Sequence, residues 1–250
     1  MPRYFLELAY KGTHYSGFQV QQNSITIQNE LEKALNTFFK QPISLTGSSR
    51  TDAGVHALQN YFHFDASIHI EAKQVYNLNA ILPLDIVVKA FHPVADTAHC
   101  RFDAISREYK YFIYNKKDPF LNDRAWFYPY RLDINQLNEA AAILIGTKDF
   151  SSFSKKNTQV KNFICSIEKS EWVFNNGSLM YNVKGNRFLR GMVRGLVGTM
   201  VRVGRGIISL ETFETIIESK NAAKADFTTP AHGLFLLGVN YPENLLGNQI

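Results

Sequence analysis

The 250-residue chain is 45% hydrophobic and 20% charged, a balance that excludes an intrinsically disordered protein and allows one large domain or two modest ones around a real core. Its net charge of +5 is unevenly carried, with 7 Lys/Arg against 8 Asp/Glu in residues 1–100 and 20 against 14 in residues 101–250. Such a surplus favours a polyanionic partner without naming one.

No apolar run approaches the length needed to cross a bilayer, and the start, Met1-Pro2-Arg3-Tyr4, lacks a signal-peptide core, so no membrane association and a cytoplasmic location are expected. Cys100 and Cys165 lie far apart with no Cys-x-x-Cys spacing, and no His-x-x-x-His pair falls on a helical face. Neither a disulfide framework nor a metal site is therefore expected.

Arg3 to Tyr10 alternates as a strand, and Tyr15-Ser16-Gly17-Phe18-Gln19 follows as a glycine-punctuated loop. Ile27, Leu31, Ala34, Leu35 and Phe38 recur at helical spacing, with Ser24 or Thr26 as cap and Pro42 beyond the end. Two strands, the apolar run Ile43 to Leu45 and the alternating Asn60 to Phe64, flank an irregular loop, Gly47 to Ala57. A helix from about Glu71 to Leu82 and a strand from Ile86 to Phe91 complete the pattern of a split βαβ, ferredoxin-like unit.

Pro93 to about Arg101 is the expected connection, dividing the chain into residues 1–100 and 101–250. The second part opens with the aromatic strand Ile105 to Tyr114. A capping box, Asp133 with Gln136, starts the helix Ile134 to Ile145, which Gly146 stops. Ile164 to Phe174, the turn Asn175 to Ser178 and Leu179 to Val183 form an expected hairpin. A helix from Phe188 to about Val203, another from Ser209 to about Ser219 and a strand from Leu234 to Val239 close the chain. The expectation is an α+β protein of two ferredoxin-like (RRM-like) halves sharing a mostly antiparallel sheet, with helices on one side and a central catalytic cleft.

Three features carry the chemistry. In Arg50-Thr51-Asp52-Ala53-Gly54-Val55-His56 a carboxylate sits between a guanidinium and a glycine, the parts of a poised acid or of an ordinary Asx turn. By alternation Tyr109 and Tyr111 share a strand face, as core or as a platform for an unstacked base. Placed at 100° per residue on the Phe188 helix, Arg187, Arg190, Arg194, Arg202 and Arg205 fall within roughly a third of the circumference, as a solvated basic face or as RNA contacts. Gly191, Gly195 and Gly198 in the same helix suggest close backbone approach, by RNA or, preferably, by the sheet.

The Asp52 string resembles the signature of the TruA family of tRNA pseudouridine synthases, Arg107-Glu108-Tyr109-Lys110-Tyr111 is similar to its Arg-x-Tyr-x-Tyr motif, and Met192-Val193-Arg194-Gly195-Leu196-Val197-Gly198 to its Met-Val-Arg-x-Ile-Val-Gly motif. The likeness extends to Asn79-Ala80-Ile81-Leu82-Pro83, to Ala98 through Phe102 and to Gly233 through Pro242; Ala57-Leu58-Gln59-Asn60 departs from it, relatives being richer in glycine there. The resemblance implies uridine-to-pseudouridine isomerisation at positions 38–40 of the tRNA anticodon stem-loop, by a homodimer without cofactor or metal. It makes Asp52 the catalytic residue, by attack on C1′, attack on C6 or proton abstraction. It makes Tyr109 the stacking platform and Arg194 the partner of Asp52. Arg50 either fills the space of the flipped nucleotide, grips its phosphate or pairs with Asp52. A non-catalytic RNA-binding protein and an Asp-nucleophile hydrolase are the competing readings; no second acid sits in the Asp52 loop for the latter.

Overall fold

The structure, a computed structural model, describes residues 1–67, 70–155, 160–175 and 177–246. In chain order its regular elements are β1 (Arg3–Tyr10), α1 (Ile27–Phe39), β2 (Thr46–Gly47), β3 (His56–Asp65), α2 (Ala72–Ile81), β4 (Ile86–Val94), β5 (Ser106–Tyr114), β6 (Trp126–Phe127), α3 (Ile134–Ile143), β7 (Gly146–Asp149), β8 (Ile164–Asn175), β9 (Ser178–Gly185), α4 (Met192–Gly204), α5 (Leu210–Glu218) and β10 (Leu234–Asn240). The protein is mixed α/β with mostly antiparallel strands. It forms two compact units, residues 1–106 with 236–250, and residues 107–235.

In the first unit β1 runs antiparallel between β3 and β4, β2 adds two residues to β3, and β10 lies beside β3. Leu6, Leu8, Phe62, Phe64 and Phe91 of the strands and Leu31, Leu35 and Leu78 of the helices are buried. Thr26, not Ser24, caps α1, accepting a hydrogen bond from the Asn29 N–H at 3.2 Å. Ile43 to Leu45 is not a strand: both apolar ends are buried, but their N–H groups donate to the Asn36 and Glu32 side chains of α1, at 2.6 and 2.9 Å. Side chains satisfy that backbone where a ladder would have, so apolar content alone misreads it. Likewise β4 continues through His92-Pro93-Val94; as an edge strand it tolerates a proline, so Pro93 does not begin a connection.

In the second unit β5, β9, β8 and β7 are successive neighbours, each pair antiparallel, and β6 runs parallel to β5. Asp133 caps α3 by accepting the N–H groups of Asn135 and Gln136 at 2.9 and 3.3 Å, but the Gln136 side chain turns to Glu139 rather than back to the cap. In the hairpin turn Asn176 lies outside the described residues. Helix α4 is buried on nearly every face, packed among α3 and α5, as its apolar run requires.

Candidate active site

Within the first unit, Asp52 sits half-buried in the loop between β2 and β3, with Arg50 exposed before it. The loop is tied from three sides. The Tyr10 and Thr51 hydroxyls hydrogen-bond at 2.7 Å, Asn60 Nδ2 donates to the Ser49 carbonyl at 2.9 Å, and His56 Nδ1 accepts the Gly12 N–H at 3.0 Å. All of these side chains but Asp52 and Arg50 are buried, where such bonds are worth most and leaving one unmade costs most.

The segment Gly12 to Phe18 straps the same loop from outside. The Phe18 N–H donates to the Thr51 carbonyl at 3.2 Å and the Gly54 N–H to the Tyr15 carbonyl at 3.3 Å. A Cβ on Gly12 would lie 2.0 Å from the Val55 carbonyl oxygen, so only glycine allows that approach. Gly54 adopts φ +79°, which lets the Asp52 carbonyl accept the Val55 N–H at 3.2 Å. Phe18 stacks face to face on Phe62, 4.3 Å between centroids. Asp52 thus occupies a turn whose backbone is fixed, and the residue itself is half-buried.

Within the second unit, Tyr109 is 8% exposed on β5 and packs edge-on against Phe188 at 5.0 Å. Tyr111, on the same strand face, donates to the Pro230 carbonyl at 2.7 Å; burial pushes its hydroxyl pKa up, and the Arg194 charge opposes this. Arg194 donates through Nε and Nη2 to the Thr229 carbonyl at 2.8 and 2.6 Å, while the Thr229 hydroxyl returns a bond to the Arg194 carbonyl at 2.9 Å. The residues Thr229-Pro230 thus link Arg194 to the tyrosine-bearing strand.

The arginine face predicted for one helix does not form. Gly191 takes φ +74° and α4 starts only at Met192, so Arg187 and Arg190 lie in the preceding connection. A left-handed glycine breaks the i→i−4 ladder that the periodicity presumed. Arg190 is exposed, Arg187 and Arg202 are half-buried. Arg205, at the helix end, lies 4.1 Å over the Tyr130 ring and donates to the Tyr128 hydroxyl at 3.1 Å, a packing role that sequence did not suggest. The close approach at the helix glycines is also not by the sheet: a Cβ on Gly195 would meet Phe227 at 2.8 Å and one on Gly198 the Asp226 carbonyl oxygen at 2.4 Å.

One cluster was invisible in the sequence. His63, His99 and Cys100 bring their ligand-type atoms within 4.8 Å of one another, although the histidines are 36 positions apart with no metal-site spacing. Cys100 Sγ donates to the Thr46 carbonyl at 3.1 Å, and His63 Nδ1 accepts the Cys100 N–H at 3.3 Å. Burial lowers the His63 pKa to about 4, reinforced by the nearby His99 and Arg3, so the ring is neutral and satisfied within this network. The spacing rule failed because β3 and the turn after β4 meet only in the folded unit.

On this mixed α/β scaffold the first unit carries a half-buried aspartate in a tied loop, and the second carries a buried tyrosine and an arginine strapped to the Thr229 carbonyl. Residues 8–103 and 140–242 match the family model described as tRNA pseudouridine synthase. The chain is 43% identical to a tRNA pseudouridine synthase A of Parabacteroides distasonis, over 98% of each chain, and 42% identical to that of Porphyromonas gingivalis, over 98% of this chain and 99% of the relative. It is 40% identical to a tRNA pseudouridine synthase A of Staphylococcus aureus, over 99% of this chain and 97% of the relative. The protein belongs to the tRNA pseudouridine synthase family.

Proposed function

We propose that the protein isomerises uridine to pseudouridine in tRNA, at positions 38–40 of the anticodon stem-loop, with Asp52 as the catalytic residue. The carrying observation is the Arg50-to-His56 loop: its backbone is fixed by Tyr10, Asn60 and Gly12 while Asp52 stays accessible, which is preorganisation of a reacting group rather than of a core. The reaction breaks the C1′–N1 bond, turns the uracil and joins C5 to C1′; the proton lost at C5 is balanced by one gained at N1. It is redox-neutral and calls on protein groups alone.

Tyr109 is the ring on which the loosened base stacks, and Arg194 the partner of Asp52. Arg50, exposed two residues before Asp52, takes the space or the phosphate of the extruded nucleotide. Arg187, Arg190 and Arg202 contribute phosphate contacts, and Arg205 serves its tyrosines first. Each unit is a ferredoxin-like half, and the enzyme acts as a cytoplasmic homodimer.

The test is to incubate unmodified tRNA transcript with wild-type protein and with Asp52→Asn, then map pseudouridine. Wild type modifies the stem-loop and the variant does not. No product from wild type would leave a non-catalytic RNA-binding protein, and an active Asp52→Asn would remove the assignment of that residue.

A further inference from the structure

In the first unit a phenylalanine is held out of the core on a rigid turn. Phe102 is 74% exposed, yet its backbone is pinned: the Phe102 and Asp103 N–H groups both donate to the His99 carbonyl, at 3.1 and 3.0 Å. The His99 N–H donates to Asp103 Oδ2 at 2.7 Å, and the Arg101 N–H to His99 Nδ1 at 3.1 Å. The Phe102 ring lies against the His99 ring, centroids 4.2 Å apart at 38°, and His99 meets the buried His63 edge-on at 4.6 Å. A ladder of three rings therefore runs from the interior outward and ends on an exposed aromatic face.

Beside that face opens a cavity of about 300 Å³, bounded by Phe18, Gln28, Gly47, Arg50, Arg101 and Phe102. It is at the small end of the ligand-pocket range. Its described lining holds two guanidiniums and no carboxylate, and the Arg101 guanidinium stands 5.7 Å from the Phe102 centroid. A backed aromatic ring flanked by cations suits a planar π-system carrying an anion, which is what one nucleotide is. A base within a duplex has no open face to give such a ring, so the occupant is unpaired.

We propose that Phe102 and Arg101 form a subsite for one unpaired nucleotide of the RNA, distinct from the target uridine that Arg50 serves, with its base on Phe102 and its phosphate on Arg101. The inference rests on the tRNA-modifying reading above. It adds a second point of grip, within the unit that carries Asp52, that fixes the register of the strand entering the site.

The test uses full-length tRNA transcripts carrying a single abasic nucleotide moved through the unpaired stretches, with Kd and kcat/KM measured for wild type, Phe102→Leu and Phe102→Trp. Phe102→Leu weakens binding of intact tRNA by about tenfold, as loss of one base stack does, and Phe102→Trp restores it. At one abasic position wild type loses a similar factor and Phe102→Leu loses none further. Arg101→Ala lowers the slope of log Kd against log salt by about one. Binding by Phe102→Leu within twofold of wild type, failure of tryptophan to rescue, or no abasic position coupled to Phe102 would each overturn the subsite. Wild type that neither binds nor modifies tRNA would instead overturn the reading on which it rests.

Discussion

The Asp52 loop and helix α4 place their charged residues by different physics. In the loop, buried hydroxyl, amide and imidazole groups hold an irregular backbone. In α4 the backbone is regular and almost wholly buried, and Arg194 is oriented by the chain that glycine lets come close, Asp226 to Thr229. A polar network can be loosened without unfolding the unit, whereas helix packing cannot. Loop substitutions should therefore separate activity from stability, and helix substitutions should lower both.

The largest effect belongs to Gly198→Ala. Its Cβ would sit 2.4 Å from the Asp226 carbonyl oxygen and 2.6 Å from the Thr229 hydroxyl, so the Arg194 clasp must shift. We expect a loss of about 3 kcal/mol, read as a fall in Tm of roughly 6–12 °C, with activity lost in parallel. A Tm unchanged from wild type would break the contrast from the helix side.

Thr51→Val should show the opposite signature. Losing the 2.7 Å bond to Tyr10 costs about 1–2 kcal/mol, but a shifted Asp52 should slow turnover by on the order of 10–100-fold. A rate loss no greater than that of an equally destabilised core variant would deny the loop its positioning role.

Acid should weaken the first unit through His63. The folded ring stays neutral down to about pH 4, while the unfolded chain takes up the proton near pH 6.5, so the unfolded state binds more protons between these values. Stability from this group is complete above about 6.5 and falls as pH drops towards 4. His63→Asn should flatten that part of a denaturant midpoint-against-pH curve, and an unchanged slope would show that His63 does not contribute.

The smallest effects separate the arginines. Arg205→Ala should cost about 0.5–1 kcal/mol through its contact with Tyr130 and leave the salt dependence of tRNA binding alone. Exposed Arg190→Ala should do the reverse, leaving Tm unchanged and lowering the salt slope by about one. The same response from both would mean that exposure and packing do not divide their roles.

Reading the chain residue by residue succeeded where the signal was local. Helices α1, α3 and α5 begin at Thr26, Asp133 and Ser209, each a side chain that accepts the first N–H groups, because capping is decided within four residues. The motif strings around Asp52, Tyr109 and Arg194 were legible for a similar reason: they are short and their order is the information. Periodicity misled where one backbone dihedral intervened. Gly191 turns left-handed and removes Arg187 and Arg190 from the helix, and nothing in an apolar repeat records that. The buried Ile43–Leu45 segment was misread as a strand because its hydrogen-bond partners, Glu32 and Asn36, lie on a helix.

By itself, then, the sequence determined three helix caps, most strands and the family, since these depend on nearest neighbours and ordered motifs. Only the tertiary structure decided that Leu236 to Asn240 returns to the first unit's sheet, that His63, His99 and Phe102 stack into one ladder, and that Arg194 is held through Thr229. The pairs His63–His99 and Arg194–Thr229 lie 36 and 35 positions apart. Their formation rests on burial and hydrogen-bond satisfaction over the whole unit, which no local pattern encodes.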